Sequence, residues 1–196
     1  MSQGTWDSIA PSLPCSSPAA TSRVPSYREY PLRQCVMSAE ACFSRVGVVD
    51  SMCRRDRYFL KSDGVSARLF AANESALEEA RVAASETYGP LILFGIPEIH
   101  SYLDEESEQT VHPVMFLRIR AQRAFAGAII EELDRRFATV IEEYVEREFV
   151  VVRAEARLSD LLGCSQTLKR LTHASTAIWT WLLRYEAVVI GPLKKV

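Results

Sequence analysis

The sequence of 196 residues lacks the features of several large functional classes. No stretch approaches the ~18 apolar residues that a membrane-spanning helix needs. The net charge of −2 gives no overall basic field of the kind that by itself would indicate nucleic-acid binding. The cysteines show neither Cys-x-x-Cys spacing nor the nearby histidines of zinc sites, which favours free thiols in a reducing compartment. These cysteines are Cys15, Cys35, Cys42, Cys53 and Cys164.

Phosphate-binding and catalytic motifs are also missing. The chain contains no Gly-x-x-x-x-Gly-Lys-Ser/Thr to hold phosphates and no Asn-Lys-x-Asp to recognise guanine, and its glycines are scattered. None of its histidines (His100, His112 and His173) is paired with a cysteine or carboxylate in a recognised motif. We therefore predict a non-enzymatic protein that binds no GTP and uses no cofactor and no metal.

The most informative stretch is 112–186, where strand and helix patterns alternate. Apolar residues recur with period two over 113–120, whereas Phe125, Ile129, Leu133 and Phe137 are four apart, as on one helix face. The patterns predict strand 113–120, helix 123–136, strand 138–142, strand 147–156, helix 158–170 and strand 176–185. This order is the split βαβ, or ferredoxin-like, motif, so we predict an α+β fold with a βαββαβ domain over 112–190.

Four short motifs within this domain carry a family resemblance. They are His-Pro-Val-Met at 112–115, the stretch from a glycine to paired arginines at 127–136, Arg-Ala at 153–154 with Leu-Ser-Asp-Leu-Leu-Gly at 158–163, and Leu-Lys-Arg-Leu-Thr at 168–172 with Tyr-Glu at 185–186. In this order and spacing they resemble the C-terminal (fifth) domain of elongation factor G and related translational GTPases. The resemblance implies a place against the large ribosomal subunit, near the factor-binding centre.

One face of the predicted sheet departs from the family, which is mostly polar there. Strand alternation places Met115, Leu117 and Ile119 beneath the helices. The opposite face receives Val114, Phe116, Arg118, Arg120, Val151, Arg153, Glu155, Trp179, Trp181 and Leu183. Its large apolar residues could expose several hundred Å², more than a soluble monomer usually leaves in water. Either the N-terminal half covers this face, or it binds a protein or RNA.

We predict that the binding residues of this face are Phe116, Arg118, Arg120, Arg153, Trp179 and Trp181. Aromatic residues flanked by arginines on a four-stranded sheet are also how RNA-recognition motifs stack bases, although no RNP-type sequence is present. A second departure is the loop His173-Ala174-Ser175-Thr176, which has no glycine where the family carries a Gly-Arg-Gly-like turn. We predict that a turn with positive φ has been rebuilt there.

The N-terminal residues 1–35 differ in composition, being rich in serine, proline, alanine and threonine and poor in acids. They are predicted to be a disordered arm or an organellar transit segment. A third interpretation is an arm that wraps a partner through Trp6, Tyr27 and Tyr30.

Residues 36–111 form a smaller predicted α/β segment. Arg54, Arg55 and Arg57 make a basic loop, whose charges are either simply solvated or partner-binding. The patterns predict strand 66–71, a helix capped by Asn73 that ends at Tyr88-Gly89-Pro90, strand 91–94, helix 97–103 and an acidic linker 104–108.

A weaker resemblance involves residues 93–100. Their sequence Leu-Phe-Gly-Ile-Pro-Glu-Ile-His is similar to Ser-Gly-Met-Gly-Glu-Leu-His of the family's third domain, with Gly95, Glu98 and His100 in matching positions and Pro97 in place of a glycine. The space between the two predicted helices is too short for the usual pair of strands. We therefore expect a reduced second ferredoxin-like unit.

Together these features predict a relative of translation elongation factors without the GTPase part. It would bind ribosomal proteins, rRNA or both, as a ribosomal or ribosome-assembly component in mitochondria or, alternatively, the cytoplasm. Three other interpretations stay open: a structural subunit of another large organellar complex, a single-strand RNA-binding module that uses the aromatic sheet face, and a ligand-sensing module that dimerises through its sheets.

Overall fold

The computed structural model describes residues 27–38, 52–54, 56–62, 66–89, 91–105 and 107–187, and the statements below concern these residues. They form two five-stranded sheets, and the helices lie between strands along the sequence. The elements are β1 Leu32–Ser38, β2 Tyr58–Ser62, β3 Ala67–Ala71, α1 Glu74–Tyr88, β4 Ile92–Phe94, β5 Glu98–Ile99, β6 Tyr102–Leu103, β7 Thr110–Gln122, α2 Ala126–Arg135, β8 Thr139–Glu146, β9 Phe149–Arg157, α3 Leu158–Leu161, α4 Cys164–Leu171 and β10 Ala177–Ala187. Short 3₁₀ turns lie at Tyr27–Glu29 and Arg123–Phe125.

The second sheet confirms the predicted ferredoxin-like fold. Its strands are antiparallel in the order β10-β7-β9-β8, and the short β6 pairs with β7. Leu117 and Ile119 of β7 and Leu133 of α2 belong to one buried core, as the period-two and period-four patterns predict. The period-four pattern is wrong for Phe137, which lies beyond the end of α2 and is exposed. The helix predicted at 158–170 is divided in two, because Gly163 takes a left-handed φ of 77° between α3 and α4.

The first sheet has the order β2-β3-β1-β4, which is again the ferredoxin-like arrangement of four strands, with β1 in the interior. The expectation of a reduced copy is wrong for these strands. The pair β2 and β3 precedes α1 instead of lying between the two helices that the sequence predicted, so all four strands are present. Residues 39–51, where that fold places its first helix, lie outside the described residues.

The predicted helix at 97–103 is also wrong. This segment forms β5, whose Ile99 lies opposite Leu32, and β6, whose Tyr102 lies opposite Val111. Two-residue strands have little periodicity of their own. Distant strands supply the hydrogen-bond partners, so pairing overrides the local helical pattern.

The predicted arm 1–35 ends too late in the sequence, because its last residues belong to the folded part of the chain. Leu32 begins β1 and is fully buried, and Tyr30 is buried in a small aromatic cluster with Phe59 and Phe70. Tyr27 packs its ring 5.1 Å from that of Phe70. Tyr27 and Tyr30 therefore contact the first sheet instead of projecting as anchors, whereas Trp6 and residues 1–26 lie outside the described residues.

The two sheets share one hydrophobic core, and the start of α1 joins them. The predicted N-cap is confirmed, since Asn73 Oδ1 accepts a 2.9 Å bond from the Ala76 amide. Asn73 Nδ2 donates to the Thr180 carbonyl of β10 at 2.7 Å, and the Gly163 amide donates to Glu74 Oε1 at 2.7 Å. The first turn of α1 is thus fixed against the second sheet.

The loop before β10 corrects another expectation. His173 and Ala174 have φ values of 51° and 60°, so the turn keeps left-handed backbone without a glycine. Their amides donate to Arg170 O and Lys169 O, which closes the end of α4 in the manner of a C-cap and offsets the cost of that conformation. Among the described helices, none is long and apolar enough to cross a membrane.

Candidate partner-binding surface

The face of the β7–β10 sheet that carries no helix is named here the open face. Strand register brings the predicted residues together on it. Trp181 lies opposite Phe116, and Trp179 lies opposite Arg118. On the other side of β7, Arg118 lies opposite Arg153. The open face therefore carries an aromatic row beside a row of arginines, with Arg120 one step further along β7.

The aromatic row is stacked but accessible. The rings of Phe116 and Trp181 lie 4.7 Å apart at 25°, and Trp179 and Trp181 each keep 46% of their surface exposed. Not all of the apolar residues predicted on this face contribute to its exposed surface. Val114 and Val151 are buried, whereas Leu183, at the β-bulge between Leu182 and Arg184, is 40% exposed. The exposed apolar area is thus smaller than the alternation pattern predicts and is concentrated on β10.

Three arginines of the open face are held over aromatic rings. Arg118 lies 5.5 Å from the Trp179 centroid, Arg120 lies 3.6 Å from that of Phe149, and Arg153 lies 5.6 Å from that of Tyr144. A cation over a ring face is attracted by the ring quadrupole, by about 0.5–1 kcal/mol where exposed. These contacts orient the guanidinium groups along the sheet.

Carboxylates neutralise two of these arginines. Arg153 pairs with Glu142 at 2.6 Å, and Arg120 approaches Glu146 at 3.9 Å. Arg118 makes no ion pair with the described residues, and its Nε is buried without a hydrogen-bond partner there. Arg118 is consequently the guanidinium of this face that is left to bind an anion.

The first sheet does not cover the tryptophans within the described residues, but it borders them. A cleft of about 290 Å³ separates Trp179 and Trp181 from Arg57, Asn73 and Ser75. These three residues belong to the first unit, the part of the chain that forms the first sheet and α1, whereas β7 to β10 and their helices form the second unit. The N-terminal half thus forms one wall of a groove instead of a lid over the open face.

The predicted basic loop is partly anchored. Arg57 donates to Glu79 at 2.6 and 3.0 Å, and Arg54 pairs with the same carboxylate of α1. Arg55 lies outside the described residues. The loop charges are therefore not merely solvated, since Glu79 fixes Arg57 at the edge of the cleft.

Sequence reasoning missed Tyr144, Phe149, Asn73 and Ser75 as neighbours of this surface. Phe149 could have been found, because it shares the period-two alternation of Val151 and Arg153 on β9. Tyr144 lies beyond the predicted end of its strand. No local signal places Asn73 or Ser75 beside β10, because that contact joins residues about a hundred positions apart.

The histidines form no site with one another. His100 follows β5, His112 lies on β7, and His173 packs its ring 6.1 Å from Phe125. Burial, reinforced by the Arg33 charge, lowers the pKa of His100. No group of three or more potential metal ligands occurs in the part of the chain that the structure describes. Cys35, Cys53 and Cys164 are free thiols.

The sequence matches no protein-family model and no curated protein. Its structure is similar to the crystal structure of a protein from Thermus thermophilus, with a TM-score of 0.56 and 12% identity. The match covers 86% of this chain and 42% of that protein, so this chain spans about two fifths of its length. The similarity shows a shared fold. It includes both sheets, because β7 to β10 occupy only 78 of the 196 residues.

Proposed function

We propose that this chain is a non-enzymatic binding protein of the ribosome or of a ribosome-assembly intermediate, related to translational GTPases of the elongation factor G type. The observation that carries the proposal is the open face, the sheet face without helices, where exposed Trp179 and Trp181 lie beside Arg118. Large RNA–protein particles offer both apolar protein surface and phosphate. Aromatic and arginine residues dominate the binding energy of protein–protein interfaces, and arginine also pairs with phosphate.

Contacts between the motifs that carry the resemblance support this relationship. Arg136, from the stretch 127–136, donates at 2.9 Å to the carbonyl oxygens of Asp160 and Leu162 in the stretch 158–163. Glu132 of the first stretch accepts from Arg136 at 2.6 Å. Residues that match the family in sequence thus interact with one another in the fold, as expected if they are inherited together.

The tandem of two ferredoxin-like sheets supports the same proposal. Both sheets have the strand order expected for the third and fifth domains of the family, and they share one core. A fold alone does not determine function, so the open face remains the stronger argument. Because the chain carries no phosphate-binding motif, its role would be docking and not GTP hydrolysis.

Single-strand RNA binding is a second candidate, favoured by the cleft between Arg57 and the two tryptophans. A purely structural role in another large complex would use the same open face but would require no RNA. The proposed location is the mitochondrion, which fractionation of cells that express the tagged chain tests directly.

Sedimentation of the tagged chain with ribosomes and their precursors tests the main proposal. We expect it in particle fractions and expect Trp179→Ser with Trp181→Ser to move it to the top of the gradient. Phe137→Ser is the matched control, since Phe137 is 85% exposed and lies at the end of α2, away from the open face. Absence of the chain from every ribosomal fraction, or micromolar GTP binding, contradicts the proposal.

A further inference from the structure

The cleft beside β10 combines stacking surface with positive charge. We infer that it binds one unpaired nucleotide of a single-stranded RNA, with the base against Trp179 or Trp181 and the phosphate between Arg57 and Arg118. This inference rests on the proposed function, because it names the part of an RNA–protein particle that the open face contacts. It extends that function by choosing RNA over protein as the occupant of the cleft.

The size and the walls of the cleft fit a nucleotide. Its volume of about 290 Å³ is just below the usual range for small-ligand sites, about 300–1,000 Å³. Phe116 supports Trp181 from the neighbouring strand, so the indole is held with part of its surface exposed. Stacking of a base on such a ring is worth about 1–3 kcal/mol.

The charge balance favours an anion. Arg54 and Arg57 share Glu79, so this trio carries one net positive charge. Arg118 adds a second charge without an acid partner among the described residues, and its buried Nε is an unused donor. A phosphodiester group would accept from Arg118 and would lie near Arg57. A peptide also has neutral carbonyl acceptors, but it offers an anionic one only through an acidic side chain or its C-terminal carboxylate, whereas every phosphodiester group of an RNA is anionic.

The polar groups of the cleft also predict low sequence preference. Asn73, which could otherwise read a base edge, already uses both of its amide atoms, on Ala76 and on Thr180. The hydroxyl-bearing residues among the described lining are Ser75 and Thr180. Stacking with few base-edge contacts binds any base, and a base inside a duplex cannot present its face to the ring. We therefore expect recognition of single strands and little discrimination among bases.

Fluorescence anisotropy with the 196-residue protein and a fluorescein-labelled ten-nucleotide oligo-U tests the inference. We expect binding that weakens about 10-fold or more in Trp179→Ser with Trp181→Ser, since about 1.4 kcal/mol corresponds to tenfold. The Trp→Phe versions of both changes should restore most of the affinity, because a phenyl ring still stacks. Arg118→Gln should reduce the slope of log affinity against log salt by about 0.7, the loss of one phosphate contact.

The controls separate this inference from the proposed function. Phe137→Ser and Arg135→Gln, both outside the cleft, should leave oligo-U binding unchanged. Equal affinity for a blunt RNA duplex, or oligo-U binding that ignores the tryptophan and Arg118 changes, overturns the inference. If sedimentation with ribosomes depends on the tryptophans but oligo-U does not bind, the cleft binds a protein, and only the inference fails. If oligo-U binds and no ribosomal fraction contains the chain, the proposed function fails and the nucleotide site stands.

Discussion

Asn73 and Thr180 are joined by a hydrogen bond of 2.7 Å from the Asn73 side-chain amide to the Thr180 carbonyl oxygen. The same side chain starts α1, because its oxygen accepts from the Ala76 amide. Since β10 is an edge strand, its outward carbonyl would otherwise have no strand partner. One residue thus caps a helix of the first unit and closes the edge of the second sheet, beside the cleft.

Substitutions at Asn73 separate these two roles. Asn73→Ala should reduce the free energy of unfolding by about 2 kcal/mol, roughly 1 for the lost cap and roughly 1 for the lost hydrogen bond. Asn73→Asp retains a capping oxygen but has no donor for Thr180, so its cost should be close to half. Urea titration followed by circular dichroism measures both. Equal costs for the two variants would show that the cap contributes nothing, whereas an Asn73→Asp variant as stable as the natural chain would show that the Thr180 bond contributes nothing.

Glu132 is a buried acid that ties α2 to the following loop. It is 2% exposed and accepts from Arg136 at 2.6 Å, and it also pairs with Arg135. Glu132→Gln keeps the volume but removes the charge. We expect a loss of about 1.5–3 kcal/mol in unfolding free energy, the range for hydrogen bonds to charged groups.

Glu131 provides the matched control for Glu132. It pairs with the same Arg135 at 3.2 Å, but its side chain is 76% exposed. Glu131→Gln should therefore change the free energy of unfolding by no more than about 0.5 kcal/mol. Similar losses for the two variants would mean that burial of Glu132 does not strengthen its ion pairs.

Strong periodicity made the second unit predictable from sequence. β7 alternates over many residues and α2 repeats its apolar positions every four, so each face follows from the pattern. The first unit could not be predicted as well, because its central strand β1 obtains its partners from β3, β4 and β5. The pairs Leu32 with Ala71 and Leu32 with Ile99 are set by tertiary structure, and nothing near Leu32 in sequence indicates them.

The candidate surface was also predictable only where local periodicity determines it, and not where tertiary contacts do. Alternation placed Trp179 and Trp181 on one side of β10, and their exposure follows from the absence of helices there. Sequence could not show that Arg57 would approach them, because that approach depends on Glu79 and on how the units pack. It also overestimated the apolar area, since Val114 and Val151 are buried in the structure.

Two truncations test the role of residues 27–35. Composition alone predicts that removal of 1–35 leaves the melting temperature within a couple of degrees, whereas the structure places Leu32 and Gln34 fully inside the first sheet. Loss of one such buried leucine costs about 2–5 kcal/mol. Removal of 1–35 should therefore lower the melting temperature by on the order of 10 °C relative to removal of 1–26. Equal melting temperatures for the two truncations would show that β1 is dispensable before Val36.

Cys164 should make stability depend on pH in the alkaline range. Burial raises the pKa of its thiol to about 11, from an ordinary value near 9, although the Arg136 charge opposes this shift. Between these values the unfolded chain releases a proton that the folded chain retains, so the free energy of unfolding falls as pH rises. Cys164→Ala should flatten this decline between about pH 9 and about pH 11, as measured by urea titration.

Trp179 and Trp181 should contribute to binding far more than to folding. Both lie on the open face with about half of their surface in water, so changing both to serine should cost little stability beyond the Phe116–Trp181 stack. That stack is worth about 0.5–1.5 kcal/mol. By contrast, Leu117→Ala, one position from Phe116 but on the helix-covered face, should cost about 2–5 kcal/mol because Leu117 is buried. Urea titration of the three proteins measures the difference. If the double tryptophan variant unfolds as readily as Leu117→Ala, the tryptophans belong to the core, and the open face is not a binding surface.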